Sequence, residues 1–182
     1  NTRYHDLRHT MAVLLALARL MDGCAMSGRV LSDKGINLGI VCGLMHDTGY
    51  IQERDDPRGT GGKYTLVHIP RSIDYMHRYF AHDPVMGGEV SHFGDILYCT
   101  GVNVKIREIR FASPEIELLG KMLGTADLLG QMADRQYLER LLFLFREFSE
   151  AGVPGFENEL DLLGKTVGFY GAIKERFAGD LG

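Results

Sequence analysis

Residues 7–21, LRHTMAVLLALARLM, decide the fold class because their apolar residues recur at steps of three and four. This period is typical of an amphipathic helix, whereas a half-buried strand would alternate every second residue. The apolar face predicted for this helix contains Leu7, Met11, Leu14, Leu15, Ala18 and Met21. The chain therefore opens with a helix that buries one side.

The same period continues outward from this helix, and capping residues mark where further helices begin and end. Ser32-Asp33 is a start signal for a second helix, which should end near Asp47-Thr48-Gly49. Ser113-Pro114-Glu115 combines a capping serine, a proline in the first turn and an acid near the positive end of the helix dipole. The helix that it begins should reach about Met132. The other predicted helices begin near residues 66–68, cover 85–99, follow a cap at Asp134, and cover 160–177.

Two segments lack this helical period. Residues 52–64 are polar and rich in glycine, which predicts a long loop of the kind that often carries function. Residues 103–111 alternate weakly and are the one candidate for a short extended piece. We therefore predict an all-α protein with a single domain over residues 1–182, a core over about 4–142 and a C-terminal helix within 155–182.

Composition narrows the possible partners and locations. The 182 residues carry 20 basic and 24 acidic side chains, so the net charge of −4 argues against a general nucleic-acid binder. The apolar run Met11–Ala18 is shorter than the ~20 residues that span a bilayer, and no signal-peptide pattern opens the chain. Cys24, Cys42 and Cys99 are far apart and set among apolar residues, which indicates free thiols in a reducing compartment. We expect a cytoplasmic protein with no membrane contact.

Histidines and aspartates at particular positions suggest a metal site. His5 and His9 lie four residues apart at the start of the first helix and share a face. His46-Asp47 follows the second helix, where the backbone leaves regular geometry and both side chains can reach one ion. Asp127 lies four residues after Leu123 on an apolar stripe, where an unpaired carboxylate is costly. Two imidazoles (His9, His46) and two carboxylates (Asp47, Asp127) are suitable ligands for a divalent cation.

Each residue also has a simpler interpretation when taken alone. His9 is compatible with a surface or hydrogen-bonded histidine, and a His-Asp pair is common in proteins. Asp127 faces solvent if the register of its helix is shifted. The joint pattern is much harder to explain without a metal, because it needs all these coincidences together. A cation held there would lower the pKa of a bound water and supply a nucleophile near neutral pH.

The order His9, His46-Asp47, Asp127 resembles the HD-domain superfamily of metal-dependent phosphohydrolases over residues 4–142. The segment 43–49, GLMHDTG, is similar to that family's apolar-His-Asp-x-Gly motif, and 4–10, YHDLRHT, is similar to the Tyr-His-Asn-x-x-His-Ala motif of cyclic-nucleotide phosphodiesterases. The resemblance implies a compact helical bundle with a C-terminal helical extension. It also implies that His9, His46, Asp47 and Asp127 bind the metal and that His5 is a general acid.

Departures from the family motifs limit what the resemblance transfers. Asp6 and Thr10 replace the phosphodiesterase Asn and Ala, so cyclic-nucleotide specificity is not implied. His68 is a candidate for an additional catalytic or metal-binding histidine, but the later paired histidines of one subgroup are replaced by Tyr98-Cys99-Thr100. A complete second metal site is therefore not expected.

The predicted function is hydrolysis of a small phosphorylated metabolite or nucleotide, with Asp47 orienting a water and His5 assisting the leaving group. Arg8, Arg54 and Lys63 are candidates for binding the phosphate, the last two on a mobile 52–64 loop. The alternative for this loop is that its cations are solvated and balance nearby acids. Mn, Mg, Fe, Ni, Co and Zn all suit the ligand set.

The sequence is also compatible with two other functions. A di-iron oxygenase would need more ligands, with His68 and His92 joining the set. A non-catalytic module would bind a nucleotide or a partner protein through the same fold, although such a module has no need to keep costly buried carboxylates.

Overall fold

The computed structural model describes residues 2–181, which are 69% helical and contain no strand. This confirms the predicted all-α class. Seven α-helices follow one another: α1 Leu7–Met26, α2 Asp33–Met45, α3 His68–Phe80, α4 Phe93–Leu97, α5 Pro114–Met132, α6 Tyr137–Glu150 and α7 Glu159–Gly179. Short 3₁₀ turns lie between several of them, including Thr48–Tyr50 directly after the end of α2.

Capping side chains set where the main helices begin. Asp6 accepts a hydrogen bond from the backbone N–H of His9 at the start of α1, and Ser32 accepts from Gly35 at the start of α2. Ser113 caps α5 as the sequence predicts, with Pro114 in the first turn. Asp134 does not cap α6: that helix starts at Tyr137, and the Asp134 carboxylate instead accepts hydrogen bonds from Arg8 and from the backbone of Gln136.

The α1 helix is longer than predicted and buries a different face. It continues to Met26, and its buried residues are His9, Val13, Leu17 and Met21. Leu7, Met11 and Leu15 of the predicted face are 75%, 51% and 53% exposed. Because α1 is apolar on more than one side, its periodicity identified a helix but could not identify which side is covered.

Helix α5 is the centre of the core and packs against α1, α2 and α4. Its contact with α1 is close because residue 130 is glycine: a Cβ there would lie 2.9 Å from the backbone N of Val13. His9 lies one turn before Val13, and Asp127 lies nearly one turn before Gly130. The close crossing of α1 and α5 therefore brings His9 and Asp127 together.

Two local predictions were wrong. Residues 103–111 form a 3₁₀ turn, Ile106–Glu108, within irregular backbone, and Ile106 packs on Ile173 of α7. An isolated strand has no partner for its backbone groups, and the described residues offer none. Residues 85–99 contain the five-residue α4 between two 3₁₀ turns, Gly87–His92 and Tyr98–Thr100, rather than one long helix.

One helix, α1, is long and apolar enough to cross a membrane by length and composition alone. The same test is passed by core helices of soluble proteins. In the folded chain, α1 packs on α2 and α5 and contributes Val13 and Leu17 to the core. The sequence expectation that no segment reaches this length was based on an uninterrupted apolar run, and Arg19 interrupts it.

Candidate metal centre

Four side chains from three parts of the chain converge at the C-terminal end of α2. His9 comes from α1, His46 and Asp47 from the residues that follow α2, and Asp127 from α5. The Asp47 Oδ2 atom lies 3.3 Å from His9 Nε2 and 3.2 Å from His46 Nε2. The Asp127 Oδ1 atom lies 3.1 Å from His9 Nε2 and 3.8 Å from His46 Nε2.

His46 and Asp47 reach the same point because the helix ends between them. His46 keeps helical dihedrals at φ −56°, ψ −31°, whereas Asp47 departs to φ −103°, ψ 9°. Ser72 of α3 fixes this departure: its hydroxyl donates to the His46 carbonyl at 2.6 Å and accepts from the Gly49 N–H at 2.8 Å. Sequence reasoning expected the helix end but missed Ser72, which is fully buried.

Residue 49 must be glycine for this turn to lie against α3. A Cβ at this position would lie 1.9 Å from the His68 carbonyl oxygen, which is a backbone atom. Arg71 closes the same turn, since its Nε donates to the Gly49 carbonyl at 2.8 Å. The turn that carries two of the four predicted ligands is therefore held by three contacts with α3.

The ligand atoms are buried and lack hydrogen-bond partners. Among residues 2–181, His9 Nε2, His46 Nε2 and Asp47 Oδ2 are buried side-chain atoms with no partner in hydrogen-bond geometry. An unpaired buried polar atom costs about 1–3 kcal/mol, so three together need an explanation. The Nδ1–H of His46 donates to the Gly43 carbonyl at 2.9 Å, which leaves its Nε2 as a bare acceptor.

The geometry of these atoms fits a cation. One potential ligand atom from each of His9, His46 and Asp47 lies within 4.8 Å of the other two. Two ligands about 2.1 Å from one ion and at right angles to each other would lie about 3.0 Å apart, close to the separations seen here. The donor set of two imidazoles and two carboxylates suits Mn, Fe, Co, Ni or Zn.

In the metal-free protein, protons on the imidazoles would balance part of the negative charge of the carboxylates. Burial lowers the pKa of His9, but the adjacent carboxylates of Asp127 and Asp47 outweigh burial and raise it to about 10. Burial also opposes ionisation of Asp47, yet the charge of His46 holds the pKa of Asp47 well below its usual range. The metal-free site is thus a cluster of charged imidazoles and carboxylates.

The stability of the metal-free protein should therefore fall as pH rises. The folded-state pKa of His9, about 10, lies above its ordinary value of 6.5, so the folded state binds the proton more tightly. This contribution is complete below pH ~6.5 and is lost as pH rises toward 10. We expect the Tm of chelator-treated protein to decrease between pH 7 and 10, and that of metal-loaded protein to decrease less. Equal slopes in the two forms would contradict this assignment.

A cavity of about 640 Å³ opens beside the four side chains, and Asp47 and Asp127 lie in its lining. Its wall near these carboxylates includes His5, Tyr50 and His68, whose rings stack: Tyr50 lies 4.2 Å from His5 and 4.7 Å from His68 between centroids. His5 Nδ1 lies 2.6 Å from Glu147 Oε2, and His68 Nδ1 donates to the Thr65 carbonyl at 2.6 Å.

Comparison with known protein families matches residues 1–178 to the family described as Npun_R2479-like. The chain belongs to this family. No curated protein and no solved structure matches the chain.

The basic side chains predicted to bind phosphate are not among the residues that line the cavity. Arg8 pairs with Asp134 at 2.9 Å, and Lys63 pairs with Asp56 at 2.8 Å. Arg54 is exposed on the loop. Their roles in substrate binding stay predictions, and these pairings favour the alternative that the loop cations balance nearby acids.

The three other histidines with a predicted role lie in two places. His5 and His68 line the cavity. His92 lies in the turn before α4, 3.9 Å from Glu89, and does not belong to the cavity lining. The di-iron alternative expected His68 and His92 to act together, and the structure brings only His68 to the site.

Glu147 of α6 is the residue that sequence reasoning missed. It is 4% exposed, accepts the backbone N–H groups of Arg3 and Tyr4 at 2.9 and 2.8 Å through Oε1, and contacts His5 through Oε2. A weaker signal than that of Asp127 was present in the sequence: Glu147 follows Leu144 by three residues and Phe143 by four, so it has apolar neighbours on its helix.

Proposed function

We propose that this chain is a metal-dependent phosphohydrolase of the HD-domain type that acts on a small phosphoester. The observation that carries the proposal is the buried convergence of three unpaired ligand atoms, from His9, His46 and Asp47, with Asp127 beside them. The resemblance of the sequence to HD-domain hydrolases supports the reaction class. The three free thiols support the cytoplasmic location inferred from the sequence.

His9, His46, Asp47 and Asp127 would hold the cation. A divalent cation bound there supplies an activated water near neutral pH and neutralises charge on a phosphate. The residues of the chain supply the rest: Asp47 orients the attacking water, and His5 donates a proton to the leaving oxygen. Burial lowers the pKa of His68, which leaves it a neutral imidazole able to accept a proton.

The test is an activity panel with controlled metal content. Protein purified without chelators is analysed for metal, then loaded in turn with Mn²⁺, Mg²⁺, Ni²⁺ and Co²⁺ and assayed on phosphomonoesters and phosphodiesters. We expect hydrolysis that chelation abolishes and metal restores. Absence of hydrolysis with every metal would contradict the proposal. Retained iron with an oxygen-dependent spectrum would favour the oxidative alternative.

Replacing Glu147 with glutamine should impair the step that involves His5. The Glu147 carboxylate lies 2.6 Å from the Nδ1 of His5, so it favours the tautomer that carries a proton on this nitrogen and holds the ring in place. A glutamine amide keeps the shape but removes the charge. We expect kcat for an alkyl phosphate to fall by about 10²-fold or more, within the ~10²–10⁴-fold that general acid–base catalysis supplies.

Comparing two esters with different leaving groups tests whether Glu147 supports proton transfer or only the structure. A p-nitrophenyl ester needs little protonation of its leaving oxygen, so its hydrolysis should be much less affected by Glu147→Gln. Metal content should not change, since Glu147 is not among the predicted ligands. Glu139→Gln, an exposed change on the same helix, is the matched control. Equal losses for both esters would show that Glu147 acts only through stability.

A further inference from the structure

The cavity beside the metal centre extends over an apolar wall built by α6, α7 and the segment between them. Its lining there includes Leu144, Phe148, Val153, Phe156, Lys165 and Phe169. Most of these side chains are aliphatic or aromatic, whereas the opposite end holds His5, Asp47, His68 and Asp127. The cavity is therefore polar at one end and apolar along the other.

We propose that the substrate is amphipathic: a single phosphoester group attached to an uncharged, apolar body that lies against the α6–α7 wall. This inference rests on the proposed function for the position of the phosphoester and goes beyond it in naming the substrate class. A volume of about 640 Å³ is within the ~300–1,000 Å³ range of cavities that bury drug-sized ligands in mainly hydrophobic walls.

The charges around the cavity favour an apolar body over a nucleotide or a polyphosphate. Recognition of several phosphates needs arginine or lysine side chains free to pair with them. Among the described residues that line this cavity, the one lysine or arginine is Lys165. Its Nζ already donates to the Gly155 carbonyl at 2.8 Å and pairs with Asp161 at 2.7 Å.

The carboxylates of the site add to this argument. Asp47 and Asp127 together contribute two negative charges, which one divalent cation just balances. A substrate with several further negative charges would meet no compensating group in the lining. A substrate with one phosphoester group and a neutral body places its remaining surface against side chains that gain free energy by leaving water.

Equilibrium binding of n-alkylphosphonates tests the inference without depending on catalysis, because their C–P bond has no ester to hydrolyse. Binding of methyl-, butyl-, hexyl- and octylphosphonate to Mn²⁺-loaded protein is measured by calorimetry, with the non-hydrolysable 5′-methylenephosphonate analogue of adenosine 5′-monophosphate as the nucleotide for comparison. Burial of each methylene should lower Kd about fourfold until the cavity is filled. Octylphosphonate should bind more tightly than the nucleotide.

Two valine variants test whether the dependence of Kd on chain length arises at the apolar wall. Val153→Asp places a charge in the apolar lining and should remove most of the chain-length dependence. Val167→Asp, an equal change at a 79% exposed position outside the lining, should leave that dependence unchanged. If Val153→Asp does not fold, the wild-type series alone decides the question.

The outcomes separate this inference from the proposed function. A Kd that does not vary with chain length, or tighter binding of the nucleotide than of octylphosphonate, would overturn the apolar-substrate inference even if phosphoesters are hydrolysed. Affinities that are identical in metal-free and metal-loaded protein at every chain length would support the apolar cavity and contradict the proposed function, since the phosphonate would not then be held at the metal centre.

Discussion

Asp47→Ala is expected to abolish both metal retention and hydrolysis. Asp47 Oδ2 lies 3.2 to 3.3 Å from both His46 Nε2 and His9 Nε2, so its loss removes the carboxylate that links the two imidazoles. We expect metal content to fall from about one ion per chain to background. The rate should fall by at least ~10³-fold, because activation of water by the cation is lost. Elemental analysis and the phosphoester assay measure the two effects.

The control for this variant is Asp22→Ala. Asp22 is an exposed aspartate on α1, the same helix that carries His9. The control should keep wild-type metal content and activity. If Asp47→Ala kept its metal while the control behaved normally, the predicted ligand set would be wrong.

Gly49→Ala is expected to lower the free energy of unfolding strongly, although it adds only one methyl group. The new Cβ would lie 1.9 Å from the His68 carbonyl oxygen, and backbone atoms cannot move aside as a flexible side chain does. Overpacking of this kind costs about 3 kcal/mol, which lowers the Tm of a protein of this length by roughly 6–12 °C. Because residues 46–49 form one turn, metal affinity should fall with stability.

Gly164→Ala is the matched control for the glycine prediction. Residue 164 lies inside α7, and a Cβ there meets nothing within 4 Å. Alanine is favoured over glycine inside a helix by up to ~1 kcal/mol, so this variant should be neutral or slightly more stable. A Gly49→Ala protein with a wild-type Tm and metal content would contradict the described packing of the turn on α3.

Much of the fold could be predicted from local sequence signals. Ser32, Ser113 and Pro114 lie where the helices begin, and the predicted end of α2 near Asp47 agrees with the structure. The errors arose where local signals are ambiguous. The α1 helix is apolar on more than one side, and residues 103–111 alternate like a strand but have no strand to pair with.

The four predicted ligands could be chosen from residue type and order, but their convergence depends on tertiary contacts. The approach of His9 to Asp127 requires the close crossing at Gly130, which no local pattern in either helix reveals. Ser72 and Arg71 shape the turn after α2 from a helix more than 20 residues away in sequence. Their ordinary helical context gave no signal of this role.

The roles of charged residues were the hardest to predict. Basic character and closeness to the motif residues predict phosphate-binding roles for Arg8 and Lys63, yet these side chains pair with Asp134 and Asp56. No motif points to Glu147, although it contacts His5 across 142 positions of sequence. Basic side chains are common on any protein surface, whereas a buried acidic side chain is rare. Burial therefore identifies functional charged residues better than the sign of their charge does.

The proposed function depends on one cation shared by His9, His46, Asp47 and Asp127. Its most direct test is an anomalous diffraction map, collected at the absorption edge of the metal found in the purified protein. We expect a single strong peak about 2.0–2.2 Å from His9 Nε2, His46 Nε2 and a carboxylate oxygen of each aspartate. A crystal of metal-loaded protein with no peak there, or with Asp127 turned away from the two imidazoles, would contradict it.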